Sequence, residues 1–285
     1  MFLTELPYWK QVTATKKFYK KYGIKRKLWQ GVSYHSITNR VDQLPWLDRQ
    51  EALTNEKELL LWRENGYLIK EKFIPGEIID QINETLQPIS NREQDLWRKN
   101  KYIDTAFRFP PLLSLLSHIL GREVIPFQSI NFEKGSGQAA HSDSIHMTTE
   151  PFGYMIAVWI ALEDIREGSG ELMYYPGSHK LPFITNKDFN HGNTRWAIHP
   201  DHYTRYEEKI KEIIEQNKLK QATFLPRKGD LLIWHANLLH GGMPIVRPEL
   251  TRKSMVFHYY AKDVLCYAER TEKLNLFRRI RNMMS

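Results

Sequence analysis

Apolar residues recur at helical spacing in the front half of the chain and at strand spacing in the back half. Thr54 or Asn55 can cap a helix that carries Leu59, Leu60, Leu61 and Trp62 and stops at Gly66. Tyr67-Leu-Ile-Lys then reads as a short strand. Pro75 opens a second helix with Ile78, Ile79 and Ile82 on one face, and a third runs from Pro111 to Gly121. Beyond residue 121 the period shortens. The runs 124–132, 154–162, 171–175, 230–234 and 254–260 are rich in β-branched and aromatic residues and are bounded by Gly, Pro or Asp. Five such runs without alternating helices predict a mainly β fold with flanking helices, an antiparallel sandwich or jelly roll and not a parallel α/β sheet. One amphipathic helix, around Tyr206 to Lys218, interrupts the strands, and there is no internal repeat.

Composition narrows the functional classes. With 285 residues, 41% of them hydrophobic, the chain can bury a sizeable core as one domain with extensions. The expected partition is a basic extension over 1–50, one folded body over 51–262, and a basic C-terminal helix over 263–285. No stretch approaches the length of a membrane span and MFLTELPYWKQ lacks a signal-peptide core, so a cytoplasmic location is expected. Cys266 stands alone, which excludes an intrachain disulfide, a thiolate zinc cluster and a CxxC pair. Any metal must therefore be held by nitrogen and oxygen. The net charge of +8 belongs to the ends: residues 1–50 carry ten Lys/Arg against three acids and residues 262–285 six against three, which leaves −2 for the chain between. The N-terminal lysines, interleaved with Tyr19, Tyr22 and Trp29, could touch an anionic membrane surface or simply pack as a solvated basic arm. No nucleic-acid partner is expected.

The chemistry concentrates in three residues. On a strand, side chains two apart share a face, with Cα atoms roughly 7 Å apart, so His141 and Asp143 can both reach one ion. His240, in the loop Leu-Leu-His-Gly-Gly after the strand Asp230-Leu-Leu-Ile-Trp, can supply the third ligand. Two histidines and one carboxylate leave open positions of the kind that suit non-haem iron(II), whereas a structural zinc prefers a closed tetrahedron. His-x-Asp alone is weak, since the chain has eleven histidines. A zinc or manganese cupin hydrolase or isomerase could use the same ligands without oxygen.

The order of features decides more than any one motif. From Gln138 onward the chain reads Gln-Ala-Ala-His-Ser-Asp, Val-Trp-Ile-Ala-Leu-Glu-Asp, Gly-Glu-Leu-Met-Tyr-Tyr-Pro-Gly-Ser-His-Lys, Lys-Gly-Asp-Leu-Leu-Ile-Trp-His, Leu-Leu-His-Gly-Gly and Thr-Arg-Lys-Ser. This succession resembles the phytanoyl-CoA dioxygenase family of iron(II)/2-oxoglutarate oxygenases, over about residues 56–262. The resemblance implies a double-stranded β-helix, a cupin-like jelly roll, with His141, Asp143 and His240 as iron ligands. It implies 2-oxoglutarate and O2 as co-substrates, Arg252 gripping the distal carboxylate, and Asn131 and Gln128 assisting. A guanidinium fork suits that carboxylate. It also implies hydroxylation of an unactivated C–H bond on a small-molecule or carrier-linked substrate, with succinate and CO2 as co-products. Where many relatives carry a serine two residues after the distal histidine, this chain has Gly242, and Ser254 is a candidate substitute. His235 reads as a histidine lining the site, His146 as a pocket or loop residue, Trp159 as packing and His179 as part of a turn. Residues 185–202 read as a lid.

Overall fold

The computed structural model describes residues 56–86, 90–150, 152–184, 186–189, 201–262 and 264–267. The basic N-terminal arm, the cap at Thr54 or Asn55, most of the expected lid and residues 268–285 lie outside them. Helices come first. α1 (Glu56–Asn65) leads into β1 (Tyr67–Lys70), and α2 (Gly76–Thr85) follows Pro75. α3 (Lys101–Phe107) is capped by the Asn100 side chain, which accepts from the amides of Tyr102 and Ile103. α4 (Pro110–Leu120) completes the helical layer.

The strands form an antiparallel sandwich. β2 (Arg92–Gln94), β3 (Val124–Phe132), β5 (Met155–Ala161), β8 (Leu231–His235) and β10 (Ser254–Ala261) join β1 in a six-stranded sheet of order β1-β8-β5-β10-β3-β2. Facing it is a three-stranded sheet, β7-β6-β9, built from β6 (Leu172–Tyr174), β7 (Ala222–Phe224) and β9 (His240–Gly242). β4 (Thr148–Glu150) pairs with β11 (Leu265–Tyr267). The start of the segment expected as a C-terminal helix is therefore a strand, because it finds an edge to pair with.

Two cores explain the continuous apolar runs. Val158, Ile160, Leu231, Ile233, Met255 and Phe257 face α2, α3 and α4, where Ile79, Ile82, Ile103, Phe107, Leu112 and Leu116 meet them. Ala157, Trp159, Leu232, Trp234 and Val256 face the smaller sheet through Leu172, Tyr174 and Phe224. The central strands are thus buried on both faces, so they lack the polar alternation of a half-exposed strand. The one-turn helix α5 (Asn186–Phe189) and the longer α6 (His202–Gln216) lie between β6 and β7 in sequence. α6 packs Tyr206 and Ile210 against Ile145, Tyr175 and Leu239, beside the inner end of the sandwich.

Candidate metal centre

His141 and His240 are cross-strand partners. Each donates its amide to the other's carbonyl at 2.9 Å, and their rings are 4.5 Å apart. His240 lies in β9, not in the loop expected from Leu-Leu-His-Gly-Gly. Glycine is needed there because strand and loop touch: a Cβ on Gly241 would sit 2.7 Å from the Gln138 carbonyl oxygen. His141 is held by this single bridge, and Asp143 opens a 3₁₀ turn, Asp143–Ile145, rather than continuing a strand. Ser142 between them remains extended, which keeps the two side chains on one side.

The resulting cluster is compact and buried. One ligand atom from each of His141, Asp143 and His240 lies within 4.8 Å of the others. Both imidazoles are oriented the same way: His141 Nδ1 donates to the Ala139 carbonyl and His240 Nδ1 to the Leu238 carbonyl, each at 2.9 Å. Fixing the proton on Nδ1 leaves the Nε2 lone pair for a metal. Burial, followed by the charge of His240, pushes His141 down to about 3, so it is neutral at pH 7. Burial alone would raise the Asp143 carboxyl, but His240, His258 and His141 together hold it well below the usual carboxylate range. Two histidines that present Nε2 beside a carboxylate form a donor set that fits a divalent cation.

These residues open onto a cavity of about 700 Å³. Arg252 lines it while being only 2% exposed. Its guanidinium lies 5.3 Å from the Phe132 ring and 5.6 Å from that of Trp159, and its Nη2 donates to the Lys134 carbonyl. Among the described residues no carboxylate stands within 4.0 Å of it, and Nε has no partner. Burial lowers its pKa to about 10, with Glu171 opposing. The Trp159 indole N–H, also lining the cavity, is likewise unsatisfied. Burying an unpaired cation costs several kcal/mol, and an anionic ligand offsets that cost. A dicarboxylate co-substrate fits.

Other expected residues fall in different places. Gln128 lines the cavity with Ile130 and Phe132, two and four residues on. Asn131 is three residues from Gln128 on a regular stretch of β3, so its side chain is on the opposite face; it is fully buried and does not line the cavity. Ser254 Oγ is buried and does not line the cavity either. Ser136 does, and its Oγ lies 2.7 Å from where a Cβ at Gly242 would be. His235 Nδ1 accepts the Asn237 amide, away from the cavity, and its ring stands beside His179. His146 lines the cavity and its Nε2 is 3.4 Å from the Tyr203 hydroxyl.

A family model for phytanoyl-CoA dioxygenase (PhyH) matches residues 62–252, well over half of the chain. The chain belongs to the phytanoyl-CoA dioxygenase family. It is a non-haem iron dioxygenase that uses 2-oxoglutarate, as the donor set and the unpaired Arg252 already suggested. The ectoine dioxygenase of Halomonas elongata is 23% identical over 261 residues, covering 78% of this chain and 77% of that protein. Among solved structures, the carbocyclase SnoK of nogalamycin biosynthesis aligns with a TM-score of 0.57 at 14% identity, over 74% of this chain and 86% of its own. EctD from S. alaskensis with 2-oxoglutarate and 5-hydroxyectoine aligns with a TM-score of 0.55 at 16% identity, over 75% and 78%. At these identities the structural likeness speaks for the jelly-roll fold. No helix among the described residues is long and apolar enough to cross a membrane.

Proposed function

We propose that this family member hydroxylates an unactivated C–H bond of a small-molecule or carrier-linked substrate, releasing succinate and CO2, with His141, Asp143 and His240 holding the iron. In that reading residues 51–262 form the oxygenase domain, with basic extensions on either side, and the enzyme works in the cytoplasm. The observation that carries it is Arg252, a buried guanidinium with no carboxylate within 4.0 Å among the described residues, in the cavity that also holds the three ligands. Iron, 2-oxoglutarate and oxygen together supply the oxidising power.

The chain's own residues supply placement. His141 and His240 offer Nε2 because their Nδ1 protons are committed to backbone carbonyls. Asp143 adds a negative charge that offsets part of the cation's. Arg252 takes the far carboxylate of 2-oxoglutarate by a two-pronged contact, and the Trp159 N–H and Gln128 line the same space. Trp159, Phe132 and Val256 keep water from the reacting face, which strengthens each of these electrostatic contacts. A cavity of about 700 Å³ leaves room for a substrate beside the co-substrate. Retention of Asp143 supports hydroxylation over halogenation, since a small residue there would open a site for chloride.

The test is anaerobic. Iron(II) and then 2-oxoglutarate are added to metal-free protein, and the visible charge-transfer band of the chelate is recorded for wild type, His141→Ala and Arg252→Ala. The band is expected in wild type, absent in His141→Ala, and in Arg252→Ala shifted to a 2-oxoglutarate concentration at least tenfold higher. A wild-type protein that binds zinc but gives no band would sink the reading.

A further inference from the structure

Asp143 is engaged through both carboxylate oxygens, and the two face different partners. Oδ1 lies 3.7 Å from His240 Nε2. Oδ2 accepts the Trp234 indole N–H at 2.7 Å and faces His258 Nε2 at 3.6 Å. His258 is therefore close to the metal ligands without belonging to the group whose ligand atoms lie within 4.8 Å of one another. We infer that His258 is a positioning residue: with Trp234 it holds Oδ2, so that Asp143 meets the metal through Oδ1 alone.

Three observations carry this. His258 is 2% exposed in a strand where an apolar residue would suffice for packing, as Val256 and Phe257 show beside it. Its Nδ1 has no partner among the described residues, so the carboxylate is the polar group its ring addresses. A buried imidazole aimed at one acidic oxygen needs a reason beyond filling space. The strand is also irregular at this point: β10 pairs His258 with Gln128 but Tyr259 with Pro126, leaving Phe127 as a bulge. Bulges beside active sites re-aim side chains, and this one occurs just where the face carrying Arg252, Val256 and His258 ends. At 3.6 Å the contact is electrostatic rather than a formed hydrogen bond. Trp234 supplies the short bond, and His258 supplies the second polar contact that discourages the carboxylate from turning Oδ2 toward the cation. A carboxylate that chelates through both oxygens occupies a position that co-substrate or oxygen requires.

The inference rests on the metal-centre reading, and cobalt(II) separates the two, because its visible spectrum reports coordination without oxygen or 2-oxoglutarate. Metal-free full-length protein is titrated with cobalt(II) for wild type, His258→Leu and His258→Gln, alongside thermal melting without metal. His258→Leu is expected to weaken cobalt binding about 10- to 100-fold and to change the band pattern, as loss of a ligand's supporting contact does elsewhere. His258→Gln, whose amide can still donate, recovers part of both, while the metal-free melting of the variants stays near wild type. Wild-type affinity and spectrum in His258→Leu would overturn the assignment alone. Equal loss in Leu and Gln would also overturn it, since the ring would then only fill space. A wild-type protein that takes up no cobalt would remove the metal centre and His258's role together.

Discussion

At position 242 the side chain is a hydrogen atom, and the nearest hydroxyl belongs to Ser136, from the loop before His141. The two positions compete for one volume: a side chain at 242 would have to displace Ser136. We therefore expect Ser136→Ala to raise the KM for 2-oxoglutarate about tenfold, the worth of one hydrogen bond to a charged group, with iron affinity unchanged. Steady-state turnover at varied 2-oxoglutarate checks it; an unchanged KM would reduce Ser136 to its contact with the Gln138 amide. Substitutions of this kind are hidden in sequence because they trade residues far apart in the chain for one place in space. Asn131 is the converse case. Its distance of three from Gln128 was visible from the start, and strand parity puts such a pair on opposite faces. His141, Asp143, His240 and Arg252 were legible because their neighbours repeat a known order. Trp234 and His258 were not, since a tryptophan and a histidine on apolar strands look like core until Asp143 is seen between them.

Elements were readable where their residues were apolar and bounded by turn signals. β3, β5, β8 and β10 announced themselves through apolar runs, and the short β1 and β6 through Tyr67-Leu-Ile-Lys and the run 171–175, while β2, β7 and β9 have three residues each, too few for a period to register. α6 illustrates what an element does beyond its own pattern. Its Tyr206 hydroxyl accepts the Ser142 amide at 2.8 Å, and Ser142 sits between two of the metal-cluster residues. From there Ser142 Oγ meets Ser144 Oγ, which donates to Asn237, and Asn237 in turn donates to the carbonyls of His179 and Leu181. The chain of contacts ties α6 to the loops before β9 and after β6. Tyr206→Phe strips the buried Ser142 amide of its acceptor, so a loss of about 1–3 kcal/mol is expected in urea unfolding. An unfolding midpoint equal to wild type would show that the tie adds no stability.

Across the whole molecule, the helical layer on one face and the small sheet on the other explain the fold and bury groups whose protonation predicts a response to acid. His179 and His235 are buried, and burial lowers His179 to about 4 and His235 well below 6.5. Their folded forms therefore resist protonation while the unfolded chain takes protons up near 6.5. The unfolded state binds more protons between pH 6.5 and 4, so stability must fall as pH drops through that window, by up to about 1.4 kcal/mol per unit for each group. Melting temperatures at pH 7.5 and 5.0, recorded on metal-free protein, are expected to differ by several degrees; equal values would mean that both rings find acceptors for the added proton. One last property comes from the reciprocal bonds between His141 and His240, which join stretches ~100 residues apart in the chain. An ion seated across that junction acts as a clasp on the closed fold and has no counterpart in the unfolded polymer. Iron supply then governs more than turnover: by mass action it sets how long each copy escapes unfolding and degradation, so metal starvation would thin the population as well as silence it.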